Sequence, residues 1–169
     1  MIYVSTSTIP QRIKNLDKSI KSLLNQSKKP DKIFINIPFK YRRFNETIKD
    51  DEIPKFDSSV VEVTRCEDFG PATKLLGSLD KLEKNSLIIL FDDDHVYENY
   101  MVEKFSYFYS KAPNNAYSFY VHPLGKFGIA QGADGFGINT NFLDGIKIFY
   151  NKVVKDYKEL FLYDDLWIS

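Results

Sequence analysis

The sequence predicts an α/β domain with a mostly parallel central sheet flanked by helices. Short apolar runs recur along the chain, as strands buried on both faces do. Between several of them, apolar residues repeat at spacings of three and four, the pattern of helices with one buried face. One run, Leu87-Ile88-Ile89-Leu90-Phe91, leads straight into Asp92-Asp93-Asp94-His95. In open α/β sheets the ligand crevice lies outside the carboxyl ends of the strands, so this strand aims three carboxylates at a binding site.

The elements follow in order. Ile2-Tyr3-Val4 is the first strand, and the hydroxyl-rich Ser5-Thr6-Ser7-Thr8 leaves it. Pro10 suits the first turn of a helix over 10–26 that buries Ile13, Leu16, Ile20, Leu23 and Leu24. Such a start can meet a base or phosphate with backbone N–H groups and hydroxyls, although a helix cap explains it equally. Residues 32–37 form a second strand closed by Pro38, and 39–58 a weakly patterned loop. Val60–Thr64 is a third strand. Gly70-Pro71 ends the next loop and opens a helix, with Lys74 about one turn in and Arg65 at the preceding strand end. Both cations could reach the carboxylates or a diphosphate, or could pair locally with Glu67 and Asp68. After the acidic strand come a helix over 98–111, packing Met101, Val102, Phe105, Phe108 and Tyr109, and a strand over 116–121. His122–Gly125 is a turn. Glycines 132, 135 and 137 allow backbone to approach a ligand closely, or make a plain hairpin turn, with Asp134 among them a candidate for substrate hydroxyls. Residues 141–156 read as a helix buried through Phe142, Ile146, Phe149 and Val153, and Asp164-Asp165 as a helix N-terminus, where carboxylates are favourable.

The chain's 169 residues suit one domain over 1–169 with a sizeable core. Lys+Arg and Asp+Glu balance at 23 each, so no global charge calls for nucleic acid or an anionic membrane, though local patches stay open. The single cysteine, Cys66, excludes an internal disulfide and reads as a small buried hydrophobe. No apolar stretch is long enough for a transmembrane segment and no signal peptide is visible, so the expectation is a soluble, cytoplasmic protein.

Charge explains what the acidic tip can do. In an extended segment Asp92 and Asp94 would project to one side and Asp93 to the other. Two carboxylates side by side repel unless a cation lies between them, and Mg²⁺ or Mn²⁺ typically takes one or two carboxylates plus substrate phosphates. A solvated acidic turn is the alternative.

Taken together, Val4-Ser5-Thr6-Ser7-Thr8-Ile9-Pro10-Gln11-Arg12, Asp68-Phe69-Gly70-Pro71-Ala72-Thr73-Lys74, the strand ending Phe91-Asp92-Asp93-Asp94, the Gly132–Gly137 loop and the terminal Tyr163-Asp164-Asp165-Leu166-Trp167-Ile168-Ser169 resemble the GT-A glycosyltransferases. These are nucleotide-sugar-dependent enzymes with a DxD motif. The Asp68–Lys74 segment is similar to the DYGPATK segment of a small branch found in large DNA viruses and bacteria.

The resemblance implies a Rossmann-like GT-A domain that moves a sugar from a UDP- or GDP-linked nucleotide sugar to a glycan or glycoprotein acceptor, with inversion. It implies that Asp94 binds Mn²⁺ or Mg²⁺, with Asp92 holding the ribose or supporting the metal. Thr6 and its neighbours line the nucleoside pocket, Arg12, Arg65, Lys74 and Asp93 join the donor contacts, and Gly132 and Asp134 face the sugar or acceptor. Asp165, with Asp164 beside it, matches the acidic pair where inverting enzymes keep their base. Many such enzymes add a metal ligand, often His, near the C-terminus, whereas here the motif breaks off at Ser169. Water, or a continuation of the chain, would have to complete the metal site.

Other readings compete. Phosphatases of the HAD type carry an Asp-x-Asp after their first strand, usually followed by Thr. Here the motif sits on the fourth predicted strand and is followed by His95-Val96. A nucleotidyltransferase shares strand order and metal use but opens with a Gly-rich loop that Ser5–Arg12 lacks. A sugar- or nucleotide-binding module without catalysis is the third, with Tyr41, Tyr97 and Tyr163 available for stacking.

Overall fold

The computed structural model describes residues 1–56 and 58–168. Asp57, in the predicted loop, and Ser169, the last residue of the terminal motif, lie outside the described residues. Four parallel strands form the centre: β1 (Ile2–Ser7), β2 (Lys32–Pro38), β3 (Val61–Cys66) and β4 (Leu87–Leu90). β8 (Phe136–Asn139) runs antiparallel to β4, and the short β5 (Tyr117–Ser118) pairs antiparallel with β8. The sheet order is β3-β2-β1-β4-β8-β5. The chain builds outward from β1 to β3, then returns to place β4 on the other side of β1. This reversal is a topological switch point, where the crevice of such sheets opens.

Both sheet faces are buried because alternate residues of the same strands feed two cores. Val4, Ile33, Ile35, Leu87 and Ile89 pack against α1 (Leu16–Leu24) and α3 (Met101–Lys111). Tyr3, Phe34, Ile88 and Leu90 pack against α2 (Thr73–Leu76) and the C-terminal segments. The predicted helix over 10–26 is shorter. Pro10 lies in a turn, Ile13–Asn15 form a 3₁₀ turn, and α1 starts at Leu16.

Two predictions need correction. The strand expected over 116–121 ends at Ser118. A separate two-stranded hairpin follows, β6 (Val121–Leu124) with β7 (Phe127–Ala130), and the turn falls at Gly125-Lys126 rather than at 122–125. The helix expected over 141–156 is interrupted. Residues Thr140–Leu143 form a 3₁₀ turn, Gly145 adopts φ +78°, α4 spans Ile146–Phe149, and Tyr150–Val154 widen into a π turn. The buried face is therefore Leu143, Tyr150 and Val154, while Phe142, Phe149 and Val153 are exposed. A left-handed residue and a π turn shift the register that an unbroken 3.6-residue period assumes. The chain ends with α5 (Lys158–Leu162) and α6 (Asp165–Ile168).

α2 lies unusually close to the sheet. Asn36 Nδ2, buried in β2, donates to the Ser5 hydroxyl (2.9 Å), the Lys74 carbonyl (3.2 Å) and Ser78 Oγ (3.3 Å), while Ser5 Oγ donates to the same carbonyl at 2.5 Å. Gly77 permits the approach, since a Cβ there would stand 2.7 Å from the Asn36 Cβ. Gly77→Ala should therefore cost about 1–3 kcal/mol by over-packing, read as a lower urea midpoint with unchanged m-value.

Candidate active site

Five of the predicted site residues converge beside the carboxyl end of β4. Lys74, one turn into the helix after Gly70-Pro71, points its ammonium into the space between the strand tip and α6. Its Nζ donates to Asp92 Oδ1 at 2.8 Å and lies 3.3 Å from Asp164 Oδ2. Gly132 N–H donates to Asp165 Oδ1 at 3.2 Å. A Cβ on Gly132 would sit 3.2 Å from both Asp165 Oδ1 and Lys74 Nζ, so a glycine is what lets the loop close on the charges. One lysine is thus held between the terminal acidic pair and the strand-tip Asp92. Asp165 also begins α6, as the helix-start reading expects.

Lys74 is only 6% exposed. Burial pushes its pKa down, but Asp164 and Asp92 outweigh that, and the ammonium is held above its ordinary value. Asp165 is raised, first by burial and then by the charge of Asp164, with Lys74 and the Gly132 N–H pulling the other way.

A second cluster joins the strand tip to the turn after β1. Asp93 is buried, accepts the Thr8 hydroxyl at 2.5 Å and lies 3.3 Å from Arg12 Nη1. Burial raises its pKa, and Thr8 and Arg12 only partly offset this. Asp94 is exposed. It accepts Arg12 Nη1 at 2.5 Å and has His95 Nδ1 at 2.9 Å. Burial would raise Asp94, but Arg12 and His95 together outweigh it and hold the carboxyl below its usual range. The three carboxylates leave β4 through a bend rather than an extended segment. Asp92 and Asp94 consequently engage different cations instead of standing side by side. Tyr97 fixes this bend. Its hydroxyl accepts the Asp92 N–H at 2.9 Å and reaches the carbonyls of Asp92 (2.9 Å) and Ala133 (3.2 Å).

The remaining predicted residues are placed elsewhere. Thr6 itself is fully buried within β1, while its expected companions Ser7, Thr8 and Ile9 line the small cleft beside it. Arg65 donates to the Ile48 carbonyl at 2.8 Å and pairs with Asp50 at 3.3 Å, away from the carboxylate tip. Asp134 is exposed on the glycine loop. Tyr41 and Tyr97 are buried with hydroxyls engaged, so neither offers a stacking face, whereas Tyr163 is exposed. Cys66 is partly buried, and burial pushes its thiol up to about 12, an inert form at neutral pH.

Sequence reasoning missed three contributors. Asp68 accepts the backbone N–H groups of Arg42 (2.6 Å) and Gly70 (2.9 Å), shaping a small cleft lined by Ser7, Thr8, Pro38, Arg43, Asp68 and Gly70. Thr8 is the contact to Asp93. The Ser5–Asn36–Ser78 hub sets the helix that carries Lys74. A polar Asn36 inside the apolar run Ile33–Ile37 was the available signal, since buried amides need partners.

Removing Lys74 would leave the buried Asp164 and the half-buried Asp92 uncompensated. Lys74→Met should cost about 3–5 kcal/mol at neutral pH. A group whose folded pKa is raised stabilises fully below its unfolded value. The Lys74 contribution should therefore persist through neutrality and fade only as pH rises beyond about 10.4. Chemical denaturation of both proteins across pH checks the sign.

No protein-family model matches the sequence, and no curated protein matches it. Solved structures do resemble the fold. The chain aligns with Staphylococcus aureus TarS 1–349 in complex with UDP at TM-score 0.59 and 11% identity, over 94% of this chain and 52% of that one. It aligns with the mannosyltransferase PcManGT of Pyrobaculum calidifontis, in complex with GDP-Man and Mn²⁺, at TM-score 0.60 and 12% identity, over 86% and 46%. It also aligns with the 2-C-methyl-D-erythritol 4-phosphate cytidylyltransferase of Francisella tularensis at TM-score 0.58 and 11% identity, over 99% and 85%. The chain spans about half the length of the TarS and PcManGT structures. At this identity the likeness speaks to architecture alone, a mixed α/β, Rossmann-like fold of the kind its GT-A-like neighbours share.

Proposed function

We propose that the chain carries the donor site of a glycosyltransferase that moves a sugar from a UDP- or GDP-linked donor to a hydroxyl of a glycan or glycoprotein, with inversion. The observation that supports this most is the Lys74 contact, which gathers the strand-tip Asp92 and the terminal Asp164-Asp165 pair at one edge of the crevice. A nucleotide-sugar reaction needs both parts, a grip on the diphosphate and a base across from it.

Asp165 is the proposed base. The acceptor oxygen forms a bond to the anomeric carbon as the bond to the diphosphate oxygen breaks, and the hydroxyl proton passes to Asp165. Burial and Asp164 raise this carboxyl, which makes it a better proton acceptor. Arg12 is proposed to hold the strand tip against the β1 turn where the nucleoside lies, with Thr8, Arg43 and Asp68 lining that cleft. The cleft encloses about 30 Å³. That is well short of the ~300 Å³ of a usual small-molecule site, so only part of a nucleoside would enter it as it stands.

Mn²⁺ or Mg²⁺ is the proposed cofactor. Among the described residues no group of three or more His, Cys, Asp or Glu side chains is arranged to hold a metal. The exposed donors at the tip are Asp94 and the adjoining His95. This small set suits a hard cation that takes its other ligands from a diphosphate and water. Bound there, it would offset charge on the departing diphosphate.

A nucleotidyltransferase is the second reading, favoured by the 85% of the cytidylyltransferase that the chain covers. The product distinguishes the two: metal-dependent release of nucleoside diphosphate from a nucleotide sugar supports sugar transfer, whereas pyrophosphate release from a nucleoside triphosphate supports the alternative. Binding without release would leave a module.

Two outcomes are expected. In a thermal-shift panel, a UDP- or GDP-sugar should raise the melting temperature only with Mn²⁺ or Mg²⁺ present, and Asp94→Ala should abolish the shift. Asp165→Asn should lower kcat at least ~100-fold with donor binding intact. The wild-type rate should fall on the acid side with an apparent pKa above the ordinary Asp value of about 3.9, a limb absent from Asp165→Asn.

A further inference from the structure

We infer that the β6–β7 hairpin, with the adjoining end of α3, is a docking surface for an anionic lipid bilayer. The hairpin stands apart from the main sheet and pairs only with itself among the described residues. Its tip pairs Leu124 with Phe127 across the two strands, so both side chains lie on one face. Phe127 is 79% exposed and Leu124 56%. Phe119, Tyr120 and Val121 at its base, and Tyr107 and Phe108 on α3, are also exposed. Phe119 packs edge-on against Phe105 of α3, joining the two parts. An apolar cavity of about 240 Å³ opens there, lined by Lys104, Phe105, Phe108, Tyr117, Ser118 and Phe119. Large apolar side chains gathered this densely on a surface mark an interaction site.

Charge selects the occupant. Between Glu103 and Asp134 the chain has no carboxylate, three lysines (Lys104, Lys111 and Lys126) and His122. The whole chain balances at 23 basic and 23 acidic residues, so the rest of the protein is net acidic by three charges and this segment is locally basic. In a symmetric contact with a second copy these lysines would face their own counterparts, with no acid in the segment to offset them. Anionic headgroups complement them, while Phe and Leu enter the interface and Tyr sits at headgroup level. No helix among the described residues is long and apolar enough to cross a membrane, so the contact is a surface one. β7 continues through Gln131 into Gly132, whose N–H meets Asp165, so the surface adjoins the candidate site along the chain.

Flotation of the full chain with phosphatidylcholine vesicles, with and without phosphatidylserine, tests this. The chain should float with phosphatidylserine vesicles and less so as salt is raised. Leu124→Ser combined with Phe127→Ser, and separately Lys126→Glu, should each lower the bound fraction about tenfold without moving the melting temperature. Failure to float, or equal flotation of the variants, would overturn the inference. So would a concentration-dependent dimer of the free chain that the double variant abolishes, since that assigns the face to a second copy.

Discussion

The buried ammonium of Lys74 is the constraint on which the candidate site depends. Three acids from distant parts of the chain, Asp92, Asp164 and Asp165, are brought close in a region with little water. Without a cation their mutual repulsion would open that end of the molecule. With it, the strand tip, the glycine loop and α6 become one assembly. A buried ion pair is not in itself a strong stabiliser, since desolvation consumes most of the Coulomb gain. What it supplies here is position: a fixed separation between the acids on β4 and those at the chain's end.

That position is set from beneath. The Lys74 carbonyl accepts from Ser5 and Asn36, and Gly77 lets the helix sit down on Asn36. The lysine's reach is thus defined by polar groups inside the sheet, whose donors find acceptors while the buried Asn36 Oδ1 finds no donor among the described residues. Tyr97 plays the complementary part above the sheet, tying the backbone of Asp92 to that of Ala133.

Much of the architecture was legible because buried parallel strands are continuous apolar runs. The four parallel strands, α1, α3 and the acidic strand tip all follow from periodicity. The misreadings share a cause, in that long-range geometry overrode local pattern. Residues 141–156 keep a helical period on paper, but Gly145 and the π turn rotate the face by a residue, burying Tyr150 in place of Phe149. Residues 121–124 include a proline and no helical or strand period, yet pairing with 127–130 makes them a strand. The convergence of Lys74, Gly132 and the terminal acids rests on contacts spanning much of the chain, which spacing cannot reveal. The residue reading allowed Lys74 to reach the strand-tip carboxylates, and it does reach Asp92. Arg65, which the same reasoning offered as a donor contact, lies against the 48–56 loop because Ile48 and Asp50 provide nearer partners.

The middle acid of the triplet has a consequence of its own. Asp93 faces inward, bonded to Thr8 and set against Arg12, while its two neighbours face the crevice edge. Three identical letters in a row therefore divide their labour: one fastens the scaffold, and the flanking two are left to meet whatever arrives from solvent. A substitution that silences the protein at position 93 would report a torn seam between the first and fourth strands, not a missing ligand.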